Sequence, residues 1–341
     1  MTSYSSHLRR VLSSAASAAA IALAGCGTDG TSPRARALRP LSPEMVARLE
    51  QKHMPKRATI LIRLFKEESE LEVWKQDTTG RFALLKTYPI CRWSGELGPK
   101  IAQGDRQAPE GFYTITPAQM NPNSHYYLSF DIGYPNAYDR AHGRTGSDIM
   151  VHGDCSSRGC YAMTDEQISE IYALARESFL GDQQSFQLQA YPFRMTPLNI
   201  ARHRDNPNMP FWRMLKEGND HFEVTHLEPK VNVCETRYVF DAQLGSTDMP
   251  ANGAGPWRST DAFAAASRAP LTFNPDGWCP PYQVPQEIAV EVSEKNRRDE
   301  IEIADLARSG TPTVPVRTRM DGGTHPIFRE GVRTANGERF E

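Results

Sequence analysis

Three apolar runs in quick succession constrain this chain most: Thr59-Ile-Leu-Ile-Arg-Leu-Phe65, Leu71-Glu-Val-Trp74 and Phe82-Ala-Leu-Leu-Lys-Thr-Tyr88, separated by charged or glycine-containing turns. Short runs of this kind, punctuated by turn formers, read as strands, and strands joined by tight turns pair as neighbours. A β-rich domain follows. Gly104-Asp-Arg-Gln-Ala-Pro-Glu-Gly-Phe-Tyr113 is a turn-rich loop feeding another strand, and Tyr126 to Phe130 and Ile149 to Val151 read as two more, which puts His152 just past a strand end. After Met163 the period changes: Thr164 is placed to cap a helix with Gln167 at its third position, and Ile168, Ile171, Tyr172 and Ala175 share one face. A second helix is expected at Asn199 to Arg202 or Phe211 to Glu217, with strands at Glu223 to Leu227 and Tyr238 to Phe240.

The 341 residues, 39% of them hydrophobic, suffice for a sizeable core in one or two domains. Basic residues number 39 against 41 acidic, without a long basic run, which argues against nucleic acid as a partner. At the N-terminus, Arg9 and Arg10 precede a small-residue apolar run from Val11 to Ala24, a secretory signal too short to span a membrane. It ends in Leu23-Ala24-Gly25-Cys26, which resembles the lipobox of bacterial lipoproteins. That resemblance implies cleavage after residue 25, acylation of Cys26 and durable anchoring by several acyl chains. Gly27 after the cysteine favours the outer membrane of a Gram-negative cell, with the protein facing the periplasm.

The organisation expected is a signal peptide over 1–25, a lipidated tether with a short helix after Pro43 over 26–57, and an ordered domain over 58–242. A Gly/Pro-rich extension over 243–282 carries Trp257 and Trp278 as its strong anchors, and a tail over 283–341 is too poor in aromatics to offset its ordering entropy. That tail is expected to be largely disordered, with a charged helix around Glu287 to Arg308.

Chemistry concentrates in Ile149-Met-Val-His-Gly-Asp-Cys-Ser-Ser-Arg-Gly-Cys-Tyr-Ala-Met-Thr164. A thiol near its ordinary pKa is mostly protonated at neutral pH, so a nucleophilic cysteine needs a nearby base or a helix N-terminus. His152 follows a strand, Cys160 precedes the expected helix, and Gly159 and Cys160 offer backbone N–H groups to an oxyanion. In an exported protein the other cysteines need accounting too. If Cys160 stays free and Cys26 carries lipid, then Cys91, Cys155, Cys234 and Cys279 could make two bridges in three connectivities.

At these residues the sequence resembles the YkuD-type L,D-transpeptidases, whose signature is a histidine followed after a loop by Ser/Thr-His-Gly-Cys. The matching positions are His152, Ser157, Arg158, Gly159 and Cys160; Arg158 replaces the second histidine and the loop is short. Those departures are similar to the YafK-like branch, which reads His-Gly-x-Cys-x-Ser-x-Gly-Cys, as His152 to Cys160 does. Cys91-Arg-Trp-Ser-Gly-Glu-Leu-Gly-Pro-Lys100 and the segment from Gly104 to Tyr113 share that branch's look, and the resemblance covers about Arg57 to Phe240. It implies a mostly β catalytic domain with a few helices, a sandwich or partly open barrel, that needs no cofactor. Its substrate would be peptidoglycan stem peptides. Cys160 would attack the L-centre carbonyl of meso-diaminopimelate with His152 as general base and acid, and the acyl group would pass to an amine, crosslinking or attaching protein. Water as acceptor gives the alternative of a hydrolase, trimming stem peptides or releasing a wall-linked outer-membrane lipoprotein. A non-catalytic wall-binding lipoprotein is the competing class.

Other readings of the same residues are weaker. His152, Cys155 and Cys160 lack a fourth ligand and the chain has no Cys-x-x-Cys pair, so no metal is assigned. A plain Cys155–Cys160 disulfide would leave His152 and Gly159 without a reason. Ser157, Arg158 and Tyr134 are candidates for binding the stem peptide, Tyr134 and Arg158 at its carboxylates, Arg158 through its bidentate fork. Asp105, Glu110 and Asp148 are read as solvated turn residues rather than partners of His152, and Trp93 and Tyr113 as core aromatics. His125, His142 and His203 are read as surface or structural histidines.

Overall fold

The computed structural model describes residues 32–244, 282–316 and 322–329. The three opening runs form an antiparallel meander, β1 (Ile60–Phe65), β2 (Glu70–Gln76) and β3 (Phe82–Pro89). β10 (Phe186–Tyr191) lies parallel to β1 and β5 (Gly111–Ile115) antiparallel to β10, giving the order β3-β2-β1-β10-β5. Every residue of β1 and β10 is buried. The run of β1 is accordingly almost all apolar, whereas β10 alternates and buries Gln187 and Gln189 with hydrogen bonds to the Pro229 carbonyl and to the Gln187 side chain. A second sheet has the order β4-β9-β8-β7-β6 and is built from shorter pieces: β4 (Arg92–Trp93), β6 (Met120–Asn121), β7 (Ser129–Asp131), β8 (Met150–His152) and β9 (Tyr161–Ala162).

Helices cover this framework. α4 (Asp165–Phe179) starts at a capping box made by Thr164 and Gln167 and buries Ile168, Ile171, Tyr172 and Ala175, as its sequence period requires. α2 (Pro43–Gln51) is capped by Ser42 and buries Met45 and Leu49 in the main core. The stretch read as tether is therefore docked from α1 (Pro33–Ala37) onward, with Arg176 donating to the carbonyls of Ala37 and Arg39.

Three expectations need correcting. The domain is a mixed α/β fold, and among the described residues neither sheet closes into a barrel. Glu223 to Leu227 is no strand: α6 (Met209–Thr225) runs through it and ends at His226, which adopts the left-handed conformation with φ +53. The alternation there mimicked a strand, but Phe222 is fully buried against Trp74 and Phe82, and Gly218 lets the helix pass within contact of Phe112 and Phe240. The tail carries the charged helix expected around Glu287 to Arg308, but its described residues are docked on the domain and not disordered. α7 (Gln286–Arg308) packs on α6, where Lys216 bonds Asp220 and Asp299 at 2.5 Å each and Lys295 reaches the same two carboxylates at 3.0 and 2.6 Å. Composition counts such charges as solvated; here they are paired across two helices in a largely buried cluster.

Beyond α7 the tail returns to the second sheet. Trp93 and Gly323 exchange backbone bonds of 2.9 and 3.0 Å, Gly322 donates to Gly95 at 2.8 Å and His325 to Ile90 at 3.1 Å, so the segment extends the β4 edge. An added Cβ would stand 1.8 Å from the Trp93 carbonyl at Gly322 and 2.3 Å from the indole nitrogen at Gly323. Gly323→Val should unseat the segment, speeding hydrogen exchange at the Trp93 and Gly323 amides by roughly tenfold or more while α4 amides stay protected. Unchanged exchange at those amides would contradict this docking.

Candidate active site

β8 and β9 run parallel in the register Val151↔Tyr161 and His152↔Ala162. Val151 and Tyr161 are fully buried on one face, so their alternating neighbours Met150, His152, Cys160 and Ala162 share the other. On adjacent strands two register steps apart, the Cα atoms of His152 and Cys160 are about 8 Å from each other, a span that an imidazole and a thiol turned toward each other can close. The strand pairing thus delivers both groups to one surface.

The backbone holds each of them. The Nδ1–H of His152 donates to the Gly153 carbonyl at 2.6 Å, which assigns the ring's lone pair to Nε2, the nitrogen a base uses. The Sγ of Cys160 accepts the Met150 N–H at 3.4 Å and lies 3.6 Å from the Asp148 carbonyl, its hydrogen-bond acceptor. Burial pushes the His152 imidazole below its ordinary range, against the smaller upward pull of the Gly153 carbonyl and Asp154. Burial likewise pushes the thiol of Cys160 up, opposed by the Met150 N–H. Both effects favour a neutral thiol and a neutral imidazole at rest. A helix N-terminus does not assist: β9 intervenes, and α4 begins only at Asp165.

A disulfide joins Cys91 to Cys155, inside the loop between His152 and Cys160, and Cys234 is disulfide-bonded as well. Cys160 is the free cysteine among the described residues, which removes the Cys155–Cys160 pairing. Cys26 and Cys279 lie outside the described residues. Ser157 braces the turn: its hydroxyl donates to the Cys160 carbonyl at 2.7 Å, accepts the Gly159 N–H at 3.3 Å and lies 3.2 Å from the Ser94 hydroxyl. Gly159 needs to be glycine for its φ of +136, a backbone state that side chains disfavour. Arg158 is exposed two residues before the thiol.

Tyr134 is placed differently from its expected role. It is buried, and its hydroxyl donates to the Lys100 carbonyl at 3.1 Å, which makes it a packing residue beneath the site. Glu110 is no surface carboxylate: fully buried, it bonds Lys66 at 2.9 Å, the Trp212 indole at 2.8 Å and the Gly98 N–H at 2.7 Å. That cluster holds the loop leading to β5, and the Pro109 carbonyl in it accepts the Tyr161 hydroxyl of β9 at 2.6 Å. Asp105 pairs with Lys100 and caps its own turn, while Asp148 is exposed. Trp93 and Tyr113 are buried, with Trp93 bonded to Ser69. His203 pairs with Glu67 at 3.1 Å, His142 bonds the Tyr138 carbonyl, and His125 is exposed. One neighbour of the imidazole had no signal in the sequence: the ring of Tyr126, whose centroid is 4.6 Å from that of His152.

With this geometry in view, comparison with known proteins places the chain. The YkuD family, described as an L,D-transpeptidase catalytic domain, matches residues 61–184. The chain belongs to the YkuD-type L,D-transpeptidase family. Within it the chain is YafK-like: it is 46% identical over 185 residues to YafK of Escherichia coli, itself named only provisionally as an L,D-transpeptidase. The match takes in 54% of this chain and 75% of that relative, and the same figures hold for YafK of a second strain. Among solved structures, the helical cell shape determining protein Pgp2 of Campylobacter jejuni aligns with 20% identity and a TM-score of 0.33, over 44% of this chain and 56% of its own.

Proposed function

We propose that this enzyme of the L,D-transpeptidase type acts on peptidoglycan stem peptides through an acyl-thioester on Cys160. One observation carries the reading: within the segment matched by the family, the free cysteine shares a sheet face with a histidine whose Nε2 is left as acceptor. As the sulfur attacks the L-centre carbonyl of meso-diaminopimelate, the thiol proton passes to His152. The Gly159 and Cys160 N–H groups then receive the oxyanion, Gly159 giving up its long contact with Ser157. Collapse expels the amine of the terminal D-residue, which takes the proton from the imidazolium. An incoming amine then attacks the thioester, losing its proton to His152, and the thiol is restored. Arg158, exposed two residues before Cys160, could offer its planar fork to a stem-peptide carboxylate.

The same proposal anchors the chain through lipid on Cys26 at the periplasmic face of the outer membrane. Since the chain is docked from α1 onward, the stretch from Cys26 to Ser32 can extend at most about 20 Å, which keeps the domain close to the bilayer.

Incubating the purified chain with disaccharide-tetrapeptide and, separately, with a protein-linked muropeptide separates transfer from hydrolysis. Crosslinked dimer from the first substrate, abolished by Cys160→Ala, is the expected product. Release of the linked protein without any dimer would replace transfer by amide hydrolysis.

A further inference from the structure

The two groups that would perform the transfer are held by backbone, but the imidazole of His152 has one more neighbour. Tyr126 precedes β7, and its ring centroid lies 4.6 Å from that of His152 with 35° between the planes. The tyrosine is 44% exposed while His152 is 3% exposed, so the phenol ring stands between the imidazole and solvent. Its position is fixed by main chain: the Gly153 N–H donates to the Tyr126 carbonyl at 3.0 Å, and the Tyr126 N–H donates to the Ser124 hydroxyl at 3.1 Å. The approach is so close that a Cβ on Gly153 would meet the Tyr126 carbonyl at 3.0 Å, the Tyr127 Cβ at 3.1 Å and Asp165 at 2.5 Å. A glycine directly after His152 is what lets the aromatic segment settle over the ring.

We infer that Tyr126 is a positioning residue that acts through His152, covering the outward face of its imidazole and holding the ring in its Gly153-bonded orientation with water excluded. This inference rests on the proposed role of His152 as base. Loss of the cover hydrates the imidazole and relieves the burial that disfavours its cation, so the ring becomes easier to protonate. It also frees the ring to rotate off the Gly153 carbonyl. The phenol oxygen has no part in either effect; the flat apolar ring does the work. Other charged groups around the pair are Asp154 in the same loop, Asp165 on α4, which accepts the Asp154 N–H at 3.0 Å, and Lys100, Asp131 and Asp148 on the thiol side. All of them stay in place when Tyr126 alone is changed.

The test is the pH dependence of Cys160 alkylation by iodoacetamide, measured on the full chain between pH 5 and 8 as a buffer range of about that width around the ordinary histidine pKa. Native protein should show an acid limb centred below about 6.5. Tyr126→Leu should move that midpoint up by about half a unit to one unit, slowing alkylation at the acid end by about threefold to tenfold. Tyr126→Phe and Tyr126→Trp, which keep a ring, should leave it in place. Gly153→Ala, which keeps the Tyr126 side chain but whose Cβ presses on the Tyr126 carbonyl and displaces the segment, should reproduce the Leu result and serves if the Leu variant does not fold. An acid limb unmoved in both the Leu and Ala variants, or moved as far by Phe as by Leu, overturns the inference. Alkylation requires no peptidoglycan, so this outcome is separate from that of the product assay, which judges the transfer reading itself.

Discussion

Replacing His152 with alanine is expected to slow crosslinked-dimer formation by roughly 10³-fold, within the range usual for removing a positioned general base. The expectation follows from the burial of Cys160, which raises the pKa of its thiol and leaves little spontaneous thiolate at neutral pH. Among the described residues the nearby carboxylates are otherwise engaged: Asp105 with Lys100, Glu110 with Lys66 and Trp212, and Asp131 with the Gly133 N–H, while the Asp148 group that meets the sulfur is its backbone carbonyl. Cys160→Ser should cost about as much or more, since a hydroxyl is far harder to deprotonate than a thiol. The two substitutions should not add, because each disables the same proton transfer. Rates of dimer formation by the single and double variants check this, with melting curves to show that the domain remains folded. A His152→Ala variant within about tenfold of the native rate would remove His152 from the mechanism.

The second large effect concerns the Cys91–Cys155 bridge. It closes a loop with a sequence separation of 64, for which chain-entropy arguments give a stabilisation of about 4 kcal/mol. The bridge also reaches into the loop between His152 and Cys160. Asp154 and Cys155 have φ of +66 and +49, a region that non-glycine residues enter only when the surroundings hold them there. The Cys91 N–H donates to Ala162 at 2.9 Å and the Cys155 N–H to Met163 at 3.2 Å, so the bridge staples the turn to both sides of β9. Replacing Cys91 and Cys155 together by serine should lower the melting temperature by roughly 10 °C and slow alkylation of Cys160. Dithiothreitol treatment of the native chain should lower the melting temperature in the same direction. A double-serine variant that melts with the native protein would show that backbone bonding alone fixes the loop.

How much of this was legible beforehand depended on the range over which each cause acts. The meander of β1 to β3, the capping box at Thr164 and the one-sided face of α4 are set by residues close in sequence, and they are read without a structure. That His152 and Cys160 flank one loop was legible in their common segment and its resemblance to a known family, and the register of β8 and β9 puts them on one sheet face. What sequence could not show depends on distant partners. Tyr126 meets His152 because β7 and β8 pair, and the Lys66–Glu110–Trp212 cluster joins three separate elements. Tyr134 was misread because a buried hydroxyl satisfied by a carbonyl and one free to bind substrate have the same local sequence. The helical end of α6 was misread for a related reason: its five-residue alternation suits a strand, and only packing of Phe222 decides against it.

The central claim is that a stem peptide becomes bonded to Cys160. Intact-mass measurement of the chain, quenched in acid during turnover with disaccharide-tetrapeptide, tests it directly. The native protein should gain the mass of the disaccharide-tripeptide acyl group, with fragmentation placing it on Cys160 and hydroxylamine removing it. Robust product formation with no adduct, or an adduct on another residue that survives in Cys160→Ala, would contradict the account.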